Sequence, residues 1–247
     1  MNNINDSYFN GYYKDIWRTL VPAELTVKET DFIMQYFGLQ QGSKVLDLMC
    51  GYGRHAISLA KKGIEVTAID NLGDYINEIK ETAAKDYLPI TAIQDNIIHF
   101  QTTGLFDLAL CMGNSLNFFN AADTVSLLST VAKSLKEKGH LLINTWSLAE
   151  IAIQSFSSSS TSTIDTFKYL HTSHYLFHPT RIESETTMIA ADGTEEKKKA
   201  IDYIYSVAEM ETILNQAGFI MKEIYSIPGR KKFTLGEPRA YIVAEKI

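Results

Sequence analysis

Short apolar runs alternate with amphipathic stretches over the first 150 residues. Five runs have the length and apolar content of buried strands, namely 43–50, 64–70, 89–95, 106–112 and 140–146. Three stretches between them carry apolar residues at helical spacing, namely 51–63, 74–87 and 122–139. Strands that alternate with helices in this way predict βαβ units and an α/β fold with a mostly parallel sheet.

The N-terminal segment has a different composition, because aromatic residues dominate it. A helix is predicted over 26–38, where Thr26 and Glu29 have the spacing of a capping box and Gly38 is a stop signal. The aromatic residues before this helix are Tyr8, Phe9, Tyr12, Tyr13 and Trp17. We expect this segment to form a helical, aromatic lid.

The alternation changes after Trp146. Residues 155–166 have low complexity and predict a mobile loop, whereas 168–178 and 181–206 predict strands, with a hairpin turn at Asp192-Gly193. The alternation of helices and strands then resumes. Ser206 and Glu209 form a capping-box pair at the start of a helix, and two strands follow this helix. We therefore expect an inserted antiparallel β cap rather than another βαβ unit.

These segments suggest one domain, because 247 residues is the size of a single elaborated α/β domain. Within the domain 1–247 we predict four parts. They are an N-terminal lid (1–40), a ligand-binding core (41–148), an inserted β-hairpin cap (149–205) and a C-terminal helix with strands that complete the sheet (206–247).

Composition narrows the function classes. The chain has 23 Lys and Arg against 29 Asp and Glu, a formal charge of −6, which disfavours general nucleic-acid binding. Two isolated cysteines, Cys50 and Cys111, cannot form a disulfide framework or a Cys-rich zinc site. No apolar run is long enough to span a bilayer. We expect a cytoplasmic protein without a membrane or nucleic-acid partner, and either a monomer or a homodimer.

The first strand leads into a glycine-containing loop, LDLMCGYGRH. Gly51, Gly53 and Ala56 satisfy G-x-G-x-x-A, and glycines before a helix let a ligand approach the backbone. Asp70 ends the second strand, and Asp95 with Asn96 ends the third. The carboxyl ends of parallel strands meet at one edge, so these groups predict a crevice that binds a nucleotide-like ligand.

Asp47, just before this loop, indicates whether the ligand carries a diphosphate or a cationic group. A carboxylate there would repel a diphosphate but would suit a cationic group. We therefore expect a cofactor that carries an amine and a sulfonium rather than phosphates.

The same stretches resemble the class I S-adenosylmethionine-dependent methyltransferases. VLDLMCGYGRHA resembles their first motif, VTAID the next one, IQDN the adenine-side motif and FDLALCMGNSLNFF the fourth-strand motif. The resemblance is strongest to the members that act on small molecules. It implies a Rossmann-like sheet of seven strands, with helices on both faces and the last strand antiparallel.

The resemblance also implies roles for individual residues toward S-adenosylmethionine. Gly51 and Gly53 would pack against the methionine part and ribose, and Asp47 would lie near the methionyl ammonium. The remaining predicted cofactor residues are Asp70 and Asn71 on the ribose side, Asp95 and Asn96 at the adenine, and Met112 and Gly113 near the transferring methyl. Met49 departs from the family pattern, so its side chain must point away from the cofactor or the loop must be wider.

The implied reaction is an in-line displacement in which an acceptor attacks the methyl group and S-adenosylhomocysteine leaves. Positioning can supply most of the catalysis, and a general base is needed only for a protonated acceptor. The catalytic residue is unassigned, with His55, Asn114 and Tyr12 as candidates. Candidates for binding a small-molecule acceptor are Tyr8, Tyr13, Trp17, Asn114, Asn117, Trp146 and Tyr175.

Two other functions remain open. An NAD-dependent oxidoreductase would explain G-x-G-x-x-A and Asp70 but neither Asp47 nor Asp95. A non-catalytic module that binds S-adenosylmethionine or S-adenosylhomocysteine would fit the same motifs. The three histidines of HTSHYLFH lack a cysteine or carboxylate pair to complete a metal site, so no metal is expected.

Overall fold

Strands and helices alternate from residue 44 to residue 145 in the computed structural model, which describes residues 3–247. The strands are β1 (Lys44–Leu48), β2 (Glu65–Asp70), β3 (Ile90–Gln94), β4 (Phe106–Cys111), β5 (Leu135–Thr145), β6 (Ser159–Ile164), β7 (Phe167–Phe177), β8 (Thr180–Ile189), β9 (Glu195–Tyr203), β10 (Phe219–Ile227), β11 (Lys231–Lys232) and β12 (Ala240–Lys246). The helices are α1 (Tyr12–Leu20), α2 (Ala23–Tyr36), α3 (Arg54–Ala60), α4 (Gly73–Asp86), α5 (Ala121–Ser134), α6 (Ala149–Ser155) and α7 (Val207–Gln216). Two 3-10 turns lie at Ile4–Ser7 and Ser115–Phe118.

The main sheet has the order β11-β10-β12-β5-β4-β1-β2-β3. Strands β1 to β5 are mutually parallel, and β12 is antiparallel to both β5 and β10. The predicted Rossmann-like sheet is therefore confirmed, as seven strands plus the two-residue edge strand β11. Because β1 pairs with β2 on one side and β4 on the other, the strand order reverses there, and a crevice opens at its carboxyl end.

A second sheet, β6-β7-β8-β9, is antiparallel and follows the parallel part of the chain. It confirms the predicted antiparallel insertion, and Asp192-Gly193 lies in the turn between β8 and β9. The prediction of a mobile loop over 155–166 is wrong, because Ser159–Ile164 forms the edge strand β6, which pairs with β7. Strand pairing uses the backbone alone, so a serine- and threonine-rich segment can pair without an apolar pattern.

Two helix boundaries differ from the predictions. Helix α5 ends at Ser134 rather than 139, since the buried Leu135 already pairs with Phe106 of β4. Helix α2 begins at Ala23, after Pro22, so Thr26 and Glu29 lie inside it and form no capping box. The capping box predicted at Ser206 and Glu209 is confirmed at the start of α7.

The N-terminal segment connects the two sheets. The Asn5 side chain donates to the Ile201 carbonyl and accepts from the Ile201 N–H, each at 2.9 Å, and so is fixed to β9. Asn3 donates to the Phe118 carbonyl at 2.8 Å, at the far end of the main sheet's crevice. The segment from Asn3 to Leu20, called the lid below, thus closes over the crevice. Between residues 3 and 247, no helix has the length and apolar content needed to cross a membrane.

Candidate functional site

A cavity of about 500 Å³ lies between the main sheet, the lid and the second sheet. The carboxyl ends of β1, β2 and β4 form its floor, and β7, β8 and β9 form a wall. This is a common volume for a small-molecule site, and its position at the strand-order reversal is the one that open α/β sheets use.

The loop after β1 uses its two glycines differently. Gly51 has a φ of 55°, and a Cβ at this position would meet no atom within 4 Å, so the backbone faces the open cavity. Gly53 has a φ of 77°, and a Cβ there would lie 2.6 Å from Ile79 of α4. The missing side chain of Gly53 thus makes room for the packing of α4, and contact of this glycine with the cofactor stays a prediction.

Met49 takes the left-handed backbone conformation that favours glycine, with a φ of 51°. Its side chain packs against the main core and also forms part of the cavity wall. The loop therefore accommodates Met49 without turning its side chain away from the cavity.

Asp70 is fixed at the end of β2 by backbone donors. Its Oδ2 accepts from the Gly51 N–H at 2.8 Å and its Oδ1 from the Leu72 N–H at 3.0 Å. Burial raises the pKa of Asp70, and these backbone hydrogen bonds oppose the rise. The carboxylate lines the cavity, held rigidly next to the Gly51 loop.

Four other predicted residues, Asn71, Asp95, Asn96 and Met112, also line the cavity, as does Gly113. Asn71 donates to the Asp6 carbonyl of the lid at 3.1 Å, whereas Asp95 accepts from the Asn96 N–H at 2.8 Å. Gly113 donates to Asn144 at 3.3 Å and has a φ of 74°. The strand-end positions thus converge on one cavity.

Asp47 is buried with an unsatisfied oxygen. Its side chain is 1% exposed, and its Oδ2 has no hydrogen-bond partner among residues 3–247. Burial raises the pKa of Asp47 to about 7; Asp70 adds to this, while Arg54 and the Ala56 N–H oppose it. A buried carboxylate oxygen without a donor is costly, so this cavity has a place for a ligand that brings a cationic donor.

Glu29, which the sequence suggested only as a capping residue, is the centre of a buried cluster. It is 2% exposed and accepts from Arg54, from the Tyr241 hydroxyl at 2.7 Å and from His55 Nε2 at 3.0 Å. Burial would raise the pKa of Glu29, but the hydrogen bond from His55, together with the charge and hydrogen bond of Arg54, lowers it to about 2. Its position beside the buried Thr30 and Ile33 on one helix face was the available sequence signal.

His55 belongs to this cluster although its ring also reaches the cavity wall. Burial lowers the pKa of His55, and the charge of Arg54 adds to the effect against Glu29. We therefore assign a neutral ring that donates Nε2–H to the Glu29 carboxylate. This hydrogen bond fixes the ring and leaves Nδ1 as its proton-accepting nitrogen, so a role of His55 as a catalytic base stays a prediction.

The Asn114 side chain has no free hydrogen-bonding group. Its amide donates to Ser147 and to Asp202, each at 2.9 Å, and its Oδ1 accepts from Thr145, Trp146 and Ser147. Asn114 lines the cavity but is saturated, so its role as an acceptor-binding or catalytic residue is corrected to a structural one. Asn117 is fully buried and bonded to Tyr203 and Thr145, outside the cavity.

The predicted aromatic residues divide into two groups. Tyr8, Tyr13, Trp17 and Trp146 line the cavity, and the Trp17 ring lies 6.1 Å from Tyr13 and 6.0 Å from Trp146. The other two, Tyr12 and Tyr175, lie outside it, because their rings pack against Phe167 and Phe156 at 4.9 and 5.6 Å.

Asp202 of β9 is a cavity residue that the sequence analysis missed. Its Oδ1 accepts from Asn114 at 2.9 Å, and burial raises its pKa to about 7 against hydrogen bonds from Asn114 and Ser147. Alternate residues of a strand share a face, and here the neighbours Ala200 and Ile204 are buried. An acid between two buried residues at this spacing was the signal that could have identified it.

Comparison with known proteins shows which proteins this chain is similar to. A methyltransferase-domain family matches residues 45–139, the stretch from β1 to early β5. A Geobacillus sp. (strain WCH70) protein, named as a candidate methyltransferase, is 24% identical over 98% of this chain and 96% of its own. The chain spans a third to about half of the length of the next curated relatives that it matches.

Solved structures share the whole architecture. A Clostridium acetobutylicum S-adenosylmethionine-dependent methyltransferase superposes with a TM-score of 0.82 at 18% identity, over 95% of this chain and 96% of that one. CalS10, an amino pentose methyltransferase of Micromonospora echinaspora solved with S-adenosylmethionine bound, has a TM-score of 0.72 at 16% identity, over 96% and 98%. At these identities the superposition shows the fold.

Residues 45–139 match a methyltransferase-domain family, and the whole chain has the Rossmann-like fold of the S-adenosylmethionine-dependent methyltransferases with which it superposes.

Proposed function

We propose that this protein transfers a methyl group from S-adenosylmethionine to a small-molecule acceptor inside the cavity. The observation that carries the proposal is the buried, unpartnered Oδ2 of Asp47 beside the open backbone of Gly51. A diphosphate would place negative charge against Asp47, whereas S-adenosylmethionine brings an ammonium and a sulfonium. The geometry thus favours a methyl donor over NAD.

The cofactor residues can be assigned from their positions. Asp70 would accept from the ribose hydroxyls, since its oxygens keep lone pairs beyond the two backbone bonds. Asp95 and Asn96 would flank the adenine at the end of β3, and Asp47 would accept from the methionyl ammonium. Met112 and Gly113 would place the backbone of β4 beside the transferring methyl.

We assign the cofactor half of the cavity to the core, 41–148, and the acceptor half to the lid and the inserted segment, 149–205. The aromatic side chains of the lid and Trp146 enclose the acceptor half, and Asn5 holds the lid against β9. Such an enclosed, aromatic space suits a small organic acceptor rather than a polymer. The acidic charge of −6 also disfavours nucleic acid, and the free thiols of Cys50 and Cys111 fit the reducing cytoplasm.

When bound, S-adenosylmethionine supplies a methyl group that is already activated by its sulfonium. The protein's contribution is therefore mainly position and enclosure. Asp47 would bind the ammonium of the donor, and Asp70 would bind its ribose hydroxyls. The lid and the second sheet would exclude water and align the acceptor with the methyl group.

The test uses tryptophan fluorescence and methyl transfer. Both tryptophans of the chain, Trp17 and Trp146, line the cavity, so the whole tryptophan emission reports on its occupancy. We expect S-adenosylmethionine to change this emission with saturation, and radiolabelled methyl to appear in a small molecule from a mixed acceptor library. Saturable binding with no transfer to any acceptor would instead support the non-catalytic binding module.

A further inference from the structure

The second sheet puts one carboxylate into the acceptor half of the cavity. Strands β8 and β9 contribute Ile182, Ser184, Ala200 and Asp202, which are neighbours across the strand pair. Among the described residues of this sheet that line the cavity, Asp202 is the one with a carboxyl group. Both sheets therefore contribute acids to the cavity, since Asp47, Asp70 and Asp95 also line it.

The Asp202 carboxylate is held toward the cofactor half. Asn114 donates to its Oδ1 at 2.9 Å and directly follows Gly113, at the end of β4. Because its other hydrogen bonds fix the Asn114 side chain, its amide is presented to the carboxylate in one orientation. Asp202 thus lies at the boundary between the half that would hold the methyl donor and the half lined by aromatic side chains.

No basic side chain among residues 3–247 forms an ion pair with Asp202. Lys198, further along β9, is paired with Glu196, and Arg54 is paired with Glu29. His171 of β7 has its two ring nitrogens bonded to Thr186 and Ser173.

The lid presents phenols to this carboxylate rather than cations. Tyr8 and Tyr13 are close enough to Asp202 for its charge to raise their pKa, after the larger effects of burial and of neighbouring tyrosines. A carboxylate without a basic partner, facing aromatic rings, is the arrangement that favours an organic cation.

We propose that the acceptor is an amine and that Asp202 binds its nitrogen and takes a proton from it before methyl transfer. This inference rests on the proposed function. The acceptor enters as an ammonium, R–NH3+, paired with the Asp202 carboxylate. One proton passes to Asp202, which leaves R–NH2 with a free lone pair and a neutral carboxyl group.

The methyl transfer then balances in charge and electrons. The nitrogen lone pair forms the new N–C bond, the C–S bond breaks, and its electron pair returns to sulfur, which becomes a neutral thioether. The product is the methylammonium R–NH2–CH3+. Asp202 gives its proton to water when the product leaves, so the carboxylate is restored for the next cycle.

Burial also brings the proton affinity of Asp202 into the useful range. A pKa near 7 lets the carboxyl accept a proton at neutral pH and release it afterwards. It also reduces the difference in pKa between the carboxyl group and an amine. Two geometric observations support the proposal independently of this pKa. The strand register places Asp202 in the cavity, and tyrosines of the lid lie near it.

The test compares methyl transfer to matched acceptors. A panel of alkylamines is paired with alcohols and thiols of the same carbon skeletons, and each is incubated with radiolabelled S-adenosylmethionine. We expect the amines to be methylated and their alcohol and thiol partners to be inert. For the best amine, Asp202→Asn should lower kcat at least 100-fold and remove an ascending limb near pH 7 from the pH profile of kcat/KM, which reports the free enzyme.

Glu183→Gln is the matched control, since it removes a carboxylate from β8 that is paired with Arg181 outside the cavity. It should leave kcat and the pH profile unchanged. A retained affinity for S-adenosylhomocysteine and a melting temperature no lower than that of the wild-type protein show that Asp202→Asn is folded. If that variant is unstable, the comparison of amines with alcohols and thiols on the wild-type enzyme still tests the proposal.

Three results would overturn the inference while leaving the proposed function standing. They are methylation of alcohols or thiols but not amines, an Asp202→Asn enzyme with wild-type kcat, and a wild-type profile without a limb near pH 7. Binding of S-adenosylmethionine with no methylation of any amine also overturns it. Failure of the proposed function is a separate result, namely no binding of S-adenosylmethionine by the wild-type protein.

Discussion

The Asp70 carboxylate accepts a hydrogen bond from the Gly51 backbone at 2.8 Å, which ties the end of β2 to the loop after β1. The Gly51 loop and the Asp70 carboxylate, the two features of the proposed cofactor site, are therefore joined directly. The Gly51 backbone can approach a ligand closely, and Asp70 sits at a fixed distance from it with lone pairs to spare.

Replacement of Gly51 by valine should weaken S-adenosylmethionine binding at least tenfold, or about 1.4 kcal/mol. A side chain there would project into the open cavity, and a φ of 55° is strained for a β-branched residue. Met49→Gly is the matched control in the same loop and should leave binding largely intact. Titration calorimetry measures both, and the opposite order of effects would mean that a different part of the loop touches the ligand.

Replacement of Asp70 by alanine should also weaken binding of S-adenosylmethionine and S-adenosylhomocysteine at least tenfold, because both carry the ribose hydroxyls. Asp74→Ala, which removes an exposed acid from the first turn of α4, is the control and should have no effect. Equal affinities for Asp70→Ala and the wild-type protein would show that the ribose lies elsewhere.

Asp47 should make the ligand-free protein less stable as the pH rises. Its pKa is about 7 when folded against 3.8 for a free aspartate, so the folded state holds more protons between these values. The stability that this group contributes is present below about pH 4 and is lost as the pH rises through about 7. Asp202 acts in the same direction.

The variant Asp47→Asn tests this assignment. It should raise the melting temperature of the ligand-free protein at pH 8 by a few degrees and flatten its decline between pH 5 and 8. Binding of S-adenosylmethionine should fall at least tenfold at the same time, because the ammonium loses its carboxylate. Thermal melts across pH measure the first effect. A pH dependence identical to wild type would contradict the burial of an ionisable Asp47.

Removal of Glu29 should destabilise the fold. Its carboxylate satisfies Arg54, His55 and Tyr241, and loss of one partner from a buried charged cluster costs about 3 kcal/mol. Glu29→Ala should therefore lower the melting temperature by about 6–12 °C for a domain of this size. Glu24→Ala, at an exposed position of the same helix, is the control. Similar melting temperatures for the two variants would show that the cluster contributes little.

Most of the fold could be predicted because its strands are short, buried runs between amphipathic helices. Positions Val45 to Leu48 of β1 are all buried, and such a run is visible in the sequence alone. Strand β6 could not be predicted, since its residues are exposed and its pairing depends on where β7 lies. The end of α5 was missed for a related reason, because Leu135 pairs with β4 instead of continuing the helix.

The site residues that lie at the ends of consecutive strands could be predicted from the sequence. Those that are brought together by contacts between distant segments could not. Asp47, Asp70 and Asp95 follow or end strands of one parallel sheet, so their convergence follows from the topology. Asp202 lies 88 residues from its partner Asn114, and only the register of the second sheet brings them together. Glu29 likewise depends on the packing of α2 against the start of α3.

The most direct test of the central claim is calorimetric titration of the wild-type protein with S-adenosylmethionine, S-adenosylhomocysteine and NAD. The buried, unsatisfied carboxylate of Asp47 predicts saturable binding of S-adenosylmethionine and S-adenosylhomocysteine and no binding of NAD. The ammonium on both ligands should make their binding weaken when Asp47 is replaced by asparagine. Binding of NAD alone would contradict the account.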